Sequence, residues 1–301
     1  MPTFRRTRVA VPPPAAAIRG SLARAAVEAI EPRVLFATFA VTSVADAGPG
    51  TLRQAILDAN ASAGADAIEF AIPGTGPFTI RPATSLPAAT GPTSVDGRTQ
   101  PGYAGAPLVE LAGDAIPKTG GLTYGLTLTG DGSAVTGLAI NRFQHGAVDL
   151  RASDSAVRGN YIGLTPAGTR TWTAQDGGVV VTGDRNVVGG TAAGDRNVIA
   201  GAHTAVSLRG DANVVRGNLI GTAPDGVTAV PGGTFGVYVS SGAGNQIGGP
   251  LAAARNVIAA VGTGVTFESG TAAGTVVRGN YIGTDATGSR ALPNGVGIDA
   301  T

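Results

Sequence analysis

Apolar and polar positions alternate in short runs along most of the chain, and from about residue 120 the runs recur at a nearly constant interval. Two apolar residues flanking one variable residue return every 27 to 31 positions. Alternation with period two predicts short strands that bury one face. The apolar pairs are Val148/Leu150, Val179/Val181, Val206/Leu208, Val237/Val239, Val265/Phe267 and Val296/Ile298.

A second set of short strands carries an asparagine followed two residues later by an isoleucine. The asparagines are Asn160, Asn197, Asn218, Asn256 and Asn280, and the isoleucines are Ile162, Ile199, Ile220, Ile258 and Ile282. Asparagine tolerates the left-handed backbone of a tight turn. Identical amides stacked about 4.8 Å apart also form hydrogen-bonded ladders. We therefore predict a structural ladder of asparagines beside a buried column of isoleucines.

A third apolar column, Val157, Val188, Val215, Ile247 and Val277, lies between the other two. Each repeat therefore holds three short strands separated by glycine or asparagine turns. A solenoid of three-strand coils is a parallel β-helix, so we predict an all-β parallel β-helix.

The segment before the repeat is expected to cap the first coil. At 51–60 the sequence TLRQAILDAN places Leu52, Ala55, Ile56 and Ala59 on one helical stripe, with Thr51 as the N-cap. One short amphipathic helix at this place would shield a core that otherwise faces water.

The chain is accordingly divided into three parts. Residues 1–37 are predicted to be a leader or sorting segment without fixed structure. Residues 38–119 form the N-terminal cap and the first β elements, and residues 120–301 form the β-helix repeats. The final residues, 295–301, enter a new coil, so we expect the chain to be truncated from a longer array. The alternative is a final strand that is left exposed, with Asp299 protecting its edge.

Several repeat phrases resemble those of the right-handed parallel β-helix repeat proteins in the pectin-lyase-like superfamily. The phrases are NQIGG at 245–249, RNVIA at 196–200 and GNYIGTDATG at 279–288. The LRQAI core at 52–56 is similar to a module that precedes such repeats in large bacterial extracellular proteins. This resemblance covers roughly residues 38–301 and implies the architecture. It does not imply one activity, because the superfamily includes lyases, hydrolases and non-catalytic adhesins.

The leader carries a second resemblance. The sequence IEPRVLFA at 30–37 resembles the LEPR-XLL motif of many bacterial surface proteins, with isoleucine in place of the first leucine. Prolines 12–14 and Arg19 interrupt the apolar run that a secretory signal needs. The motif implies an extracellular or cell-surface location.

Composition narrows the possible partners. Residues 1–37 hold six Arg and two Glu, so the remainder carries 15 of the 21 basic residues and 18 of the 20 acidic ones. This balance argues against nucleic acid as the main partner, because phosphate binding needs a basic surface. With no cysteine, there are no disulfides or thiolate metal sites. No apolar run reaches the roughly 18 residues of a membrane span, and no cofactor or metal is predicted.

Two sets of residues are candidates for ligand binding. Arg158, Arg216 and Arg278 recur at one strand position in every second coil, and guanidinium groups hold carboxylates in a forked geometry. Tyr161, Tyr238 and Tyr281 offer aromatic faces for sugar rings. The favoured function is structural, adhesive or carbohydrate-binding, with a polysaccharide or another cell-envelope component as partner.

The alternative function is a polysaccharide lyase or glycoside hydrolase acting on acidic glycans. Its candidate catalytic residues are Asp149, Arg151, Arg158 and His145. Against it, the residues between the apolar pairs form no acidic cluster, and no known catalytic motif appears. His145, Asp176 and His203 hold equivalent places before their strands, which leaves open a metal or acid–base column.

Overall fold

The computed structural model describes residues 36–118, 121–170, 175–268, 270 and 272–300, with the backbone alone at 175 and 176. The predicted leader lies outside these residues except at its last two positions, and so does Trp172. Numbered along the chain, the described part contains 24 strands and one α-helix, α1 (Leu52–Ala61). No helix in it is long and apolar enough to span a bilayer.

The strands form three parallel sheets. Sheet A holds β1 (Ala37–Val41), β2 (Asp66–Phe70), β4 (Thr93–Asp96), β7 (Ala134–Thr136), β10 (Ala156–Arg158), β13 (Val187–Gly189), β16 (Val214–Arg216), β19 (Gln246–Gly248) and β22 (Val276–Arg278). Sheet B holds β3 (Phe78–Ile80), β5 (Val109–Ala112), β8 (Leu138–Asn141), β11 (Tyr161–Ile162), β14 (Val198–Ile199), β17 (Leu219–Ile220), β20 (Val257–Ile258) and β23 (Tyr281–Ile282). Sheet C holds β6 (Tyr124–Leu128), β9 (Gly146–Leu150), β12 (Gln175–Val181), β15 (Ala202–Leu208), β18 (Gly233–Val239), β21 (Val261–Phe267) and β24 (Val296–Asp299).

From β4 onward the chain visits sheets A, B and C in turn, and each strand pairs with the strand one coil away. This is the predicted right-handed parallel β-helix. The strands before residue 120 join the same sheets as those after it, because β2 and β4 pair with each other and β4 pairs with β7. The predicted cap segment therefore already contributes coils.

Helix α1 begins at Leu52, as the apolar stripe at 52–59 predicts. The Thr51 hydroxyl accepts a hydrogen bond from the Gln54 backbone N–H at 3.2 Å, so Thr51 is the N-cap. Leu52 and Ile56 are each 1% exposed and join the core of the first coils. The helix thus covers apolar surface at this end of the solenoid.

The interior is filled by the inward residues of the three sheets. Ile162, Ile199, Ile220 and Ile258 are each fully buried, whereas Ile282 in the last described coil is only partly buried. The sheet C pairs face the same core, with one correction to their predicted alignment. Ile298, not Val296, lies opposite Val265, and Asp299 lies opposite Thr266. The sequence pattern was therefore two residues out of register in this coil.

A column of small residues lets the chain turn from sheet B into sheet C. Strand pairing aligns Gly125, Ala147, Gly178, Ala205, Gly236 and Gly264. A Cβ at Gly236 would collide with the Gly264 carbonyl oxygen and with Ile258 Cγ2. Gly236 and the following Val237 both face inward. The alternation of inward and outward side chains therefore shifts by one residue where sheet B turns into sheet C. The residue before the glycine consequently faces outward.

The predicted asparagines stack as a hydrogen-bonded series at the turn from sheet A to sheet B. The Asn197 side-chain Nδ2 donates to Asn218 Oδ1 at 2.9 Å, and Asn218 Nδ2 donates to Asn256 Oδ1 at 3.0 Å. At Asn160, Asn218 and Asn280 the left-handed backbone belongs to the preceding glycine, as at Gly217 (φ 70°), and none of the five asparagines has a positive φ. The expectation that asparagine supplies the positive φ was therefore wrong; its amide serves the ladder instead.

A second amide ladder, not predicted from the sequence, lies at the turn from sheet C to sheet A. Asn186 N–H donates to Asn213 Oδ1 and Asn213 N–H to Asn245 Oδ1, each at 2.8 Å. Ser155 N–H extends the series by donating to Asn186 Oδ1 at 2.8 Å. The signal was present in the sequence, because each of these residues stands two positions before a member of the third apolar column.

The loops that follow β11, β17 and β23 fold back over the outside of sheet B. Val198, Leu219 and Val257 face outward from this sheet but are at most 3% exposed. With Leu164 and Ala200 they form a second apolar cluster, against which Val230 and Ala286 of the loops pack. These insertions therefore cover one face of the β-helix.

We expect Asn218→Ala to lower the free energy of unfolding by roughly 2 to 4 kcal/mol, because it leaves buried groups of two neighbouring coils without partners. Asn218 is fully buried and its Nδ2 also donates to the Val188 carbonyl oxygen at 3.0 Å. Chemical denaturation measures the change. Thr182→Ala, at an exposed strand end, is the control and should change stability by less than about 0.5 kcal/mol. Equal effects of the two substitutions would contradict a stabilising role for the ladder.

Candidate functional site

A groove of about 260 Å³ lies on the outside of sheet C. The side chains that line it include Tyr124, His145, Thr204, Ser207, Arg209 and Tyr238. They come from the outward positions of four coils, which parallel pairing brings into line. Aromatic faces beside a few hydrogen-bonding groups are typical of a site for a small polar ligand.

The floor of this groove, which we call the sheet C groove, is low at Gly177, which pairs with Thr204 and has no side chain. Gly146 pairs with Tyr124, and a Cβ there would lie 3.0 Å from the Tyr124 ring, so this glycine makes room for the ring at one end of the groove. The groove is therefore a consequence of residue choice along one outward row of the sheet.

His145 lies at one end of the groove with one ring nitrogen already engaged. Its Nδ1 accepts a hydrogen bond from the Thr123 backbone N–H at 3.0 Å. In the neutral ring the proton then belongs to Nε2, which is left as a donor. The ring centroid is 6.2 Å from that of Tyr124.

Three rings form a platform at the other end, which we call the aromatic platform: His203, Phe235 and Tyr238. Phe235 stacks on Tyr238 with centroids 5.3 Å apart and meets His203 edge-on at 5.8 Å. The Tyr238 hydroxyl donates to Glu268 Oε2 at 2.9 Å. This hydrogen bond raises the pKa of Tyr238, and partial burial adds to the rise.

Asp149 and Arg151, two of the predicted catalytic residues, pair with each other on the outside of sheet C. Nε and a terminal nitrogen of Arg151 both lie 2.7 Å from Asp149 Oδ2, and the Asp149 side chain is 3% exposed. Both contacts engage the one oxygen that the arginine reaches, and the aspartate side chain has almost no surface left for a substrate. The pair is therefore better suited to holding the sheet surface than to acid–base chemistry.

The structure does not bring Arg158 to this group, so the four predicted catalytic residues do not share one face. Arg158 ends β10 in sheet A, whereas Asp149 and Arg151 follow sheet C. The residues are close in sequence, but a turn between two sheets separates their faces. Arg158 instead lines a groove of about 280 Å³ on sheet A, with Arg98, Asp154 and Asp195.

Arg216 and Arg278 occupy the same strand position as Arg158, at the ends of β16 and β22. Strand pairing places Gly189 beside Arg216 and Gly248 beside Arg278. The three arginines therefore form a row on the outside of sheet A, one in every second coil, roughly 10 Å apart.

The three candidate tyrosines do not share a face. Tyr238 belongs to the sheet C groove, but Tyr161 and Tyr281 face outward from sheet B and pack against the second apolar cluster. Burial raises the pKa of Tyr161, and the guanidinium carbon of Arg255 lies 3.9 Å from the Tyr281 ring centroid. Sheet B is thus covered by loops, and Tyr161 and Tyr281 contribute to its packing.

The aspartates of the insertion loops hold their own turns. Asp225 accepts hydrogen bonds from the Thr228 hydroxyl at 2.6 Å and from the Val227 and Thr228 backbone N–H groups at 2.9 Å. These bonds lower the pKa of Asp225. Among the described residues, no three histidine, aspartate or glutamate side chains meet in a group that could hold a metal ion. The side chain of Asp176 lies outside that description.

Phe235, Tyr124 and Arg209 were not identified from the sequence as site residues. Strict alternation predicts that Phe235 faces inward, because Val237 and Val239 do. The one-residue shift of the alternation at Gly236 places the Phe235 ring on the outside instead. The glycine column at the corner was the signal that could have found it.

Comparisons with known proteins give little further identification. No family model and no curated protein matches the chain. Among solved structures, the alginate lyase from Paenibacillus sp. str. FPU-7 is similar at 17% sequence identity over 88% of this chain and 99% of that chain, with a TM-score of 0.33. The sheets described above define the fold, and this likeness adds no evidence about activity.

We expect Glu268→Gln to lower the pKa of Tyr238 toward that of an ordinary tyrosine. A neutral amide accepts the phenol hydrogen bond less strongly and does not oppose formation of the phenolate charge. Tyrosinate absorbance during alkaline titration measures the change, with Tyr238→Phe assigning the signal. Glu69→Gln removes an exposed carboxylate elsewhere and should leave the curve unchanged. An unshifted curve in Glu268→Gln would show that Glu268 does not control Tyr238.

Proposed function

We propose that this protein is a secreted or surface-associated β-helix that binds carbohydrate in the sheet C groove. The observation that carries the proposal is the arrangement of aromatic rings at both ends of a glycine-floored depression. Sugar rings present apolar faces and hydroxyl edges, and aromatic side chains pack on such faces. The extracellular location is part of the proposal and rests on the motif at 30–37.

The polar groups of the groove suit hydroxyl recognition. Thr204 and Ser207 offer hydroxyls that both donate and accept, while Arg209 and the Nε2–H of His145 offer donors. Such mixed groups match sugar hydroxyls, which also donate and accept. The parallel strands hold them on a rigid surface, so little side-chain ordering is needed when a ligand binds.

We expect Phe235→Ala and Tyr238→Ala each to weaken oligosaccharide binding by about tenfold, because each removes a stacking surface. A screen of neutral and acidic oligosaccharides identifies the ligand, and calorimetric titration gives the dissociation constants. Phe36→Ala is the matched control, because it removes an aromatic ring that is 68% exposed and distant in sequence from the groove. Thermal unfolding checks that each variant is folded. Unchanged affinity in both groove variants would exclude this site.

A second candidate function is β-elimination of acidic glycans, and one observation favours it. Tyr124, His145 and Arg209 line the same groove. A lyase removes the proton next to a uronate carboxylate, while the C4–O glycosidic bond breaks and a C4=C5 double bond forms. In this groove the Tyr124 oxygen would take the proton, Arg209 would hold the carboxylate, and the Nε2–H of His145 would donate to the leaving oxygen. Hydrolysis is less well supported, because the described side chains lining the groove include no pair of carboxylic acids.

Incubation with polyuronates and measurement of ultraviolet absorbance from unsaturated products tests the lyase candidate. If the groove catalyses elimination, His145→Ala or Tyr124→Phe should reduce turnover by about a hundredfold or more. Thr127→Ala, at an outward position of the same sheet, is the control. Absence of product with every polyuronate tested leaves carbohydrate binding as the function of this groove.

A further inference from the structure

One edge of the β-helix, where sheet A turns into sheet B, carries an arginine in each of five successive coils. We call these residues the arginine strip: Arg158, Arg196, Arg216, Arg255 and Arg278. Three end strands β10, β16 and β22, and two lie in the loops from β13 to β14 and from β19 to β20. Successive coils are about 4.8 Å apart, so the strip follows the helix axis at that interval.

The alternation between strand and loop has a steric cause. Gly189 and Gly248 hold the strand-end position in the intervening coils, with φ of 89° and 86°. A Cβ at either glycine would collide with the carbonyl oxygen of the strip arginine in the next coil, Arg216 or Arg278. Those coils therefore cannot place an arginine there, and they supply one from the loop instead.

The loop arginines are fixed beside the strand arginines by backbone contacts. Arg196 Nε donates to the Gly217 carbonyl oxygen at 3.0 Å, and Arg255 Nε donates to that of Gly279 at 3.1 Å. Gly217 and Gly279 directly follow Arg216 and Arg278 in the chain. Each loop arginine is thus held next to the strand arginine of the following coil, and the Arg255 guanidinium also lies over the Tyr281 ring.

The strip arginines lack counter-charges, which most of the other described arginines have; Arg209 and Arg290 are the exceptions with no ion pair. Six other described arginines form ion pairs with aspartate or glutamate: Arg53, Arg81, Arg98, Arg142, Arg151 and Arg185. Within the described residues, no strip arginine has a carboxylate within 4.0 Å. The Nε atoms of Arg158 and Arg216 are buried and have no acceptor there.

The acidic residues near the strip lie around its first two coils, those of Arg158 and Arg196. Asp96, Asp154 and Asp195 surround the Arg158 end; Asp96 pairs with Arg98 at 2.8 Å, and Asp154 pairs with Arg185. From Arg196 to Arg278 the sheet A strands and their loops to sheet B contain no acidic residue. Positive charge is therefore least compensated around Arg216, Arg255 and Arg278.

We propose that the arginine strip binds an acidic polysaccharide lying along the helix axis. A linear uronate polymer repeats carboxylates at regular intervals, and forked guanidinium groups hold carboxylates with two parallel hydrogen bonds. Nucleic acid fits less well, because the chain after residue 37 carries 15 basic and 18 acidic residues. The strip is on a different face from the sheet C groove, so this site does not depend on the proposed function.

Calorimetric titration with polygalacturonate tests the proposal. We expect Arg216→Gln and Arg278→Gln each to raise the dissociation constant three- to tenfold, and the double variant to raise it more than tenfold. Arg216→Lys keeps the charge but loses the fork, so it should give an intermediate loss. Higher salt should weaken binding less in the double variant than in the unmodified protein.

Arg290→Gln is the matched control, because it removes one exposed positive charge outside the strip. Affinity that falls equally in Arg290→Gln and Arg216→Gln would overturn the proposal, since it would show a general charge effect. Tighter binding of a single-stranded DNA of matched charge would also overturn it. Thermal unfolding confirms that the variants are folded. Loss of polygalacturonate affinity in Phe235→Ala but not in Arg216→Gln would place the binding in the sheet C groove and would also overturn the proposal.

Discussion

The fixed spacing between parallel strands is the constraint on which this structure depends. Each coil must repeat the backbone path of its neighbour, so a polar turn that is buried in one coil is buried in all of them. The asparagine at each turn from sheet A to sheet B meets this requirement by bonding to the next coil, as Asn218 does with Asn197 and Asn256. Coils therefore satisfy one another's buried polar groups, and the isoleucine column packs beneath them.

Because the strand spacing keeps equivalent residues of successive coils in line, the outer faces of sheets A, B and C differ in their chemistry. On sheet B, insertions in every second coil cover apolar side chains such as Leu219 and form a second cluster. Sheet C keeps an open outer row, where Gly177 leaves a depression between aromatic rings. Sheet A presents arginines without ion-pair partners among the described residues. Only the last two faces are left for ligands, and they offer different chemistry: ring stacking on one, and fixed positive charge on the other.

Sequence patterns identified the repeated elements well and their orientation less well. The isoleucine column and the N-cap at Thr51 follow directly from local residue preference and period. The outward direction of Phe235 does not follow from local preference. The alternation of inward and outward side chains shifts by one residue at Gly236, where the backbone lies close to Ile258 of sheet B. The arginine row at 158, 216 and 278 was visible as a column, but the contribution of Arg196 and Arg255 was not, because a loop places them.

The solenoid follows from the sequence alone, because every coil repeats the same alternation of buried and exposed residues and the same tight turns. The sequence also determined which residues stack, since identical side chains one coil apart are forced into contact. Which outward residues lie on the same sheet is known only from the three-dimensional structure. Asp149 and Arg158 are nine positions apart in sequence, yet they belong to sheets C and A. The physical reason is that faces are set by where the chain turns, and those turns depend on packing between sheets.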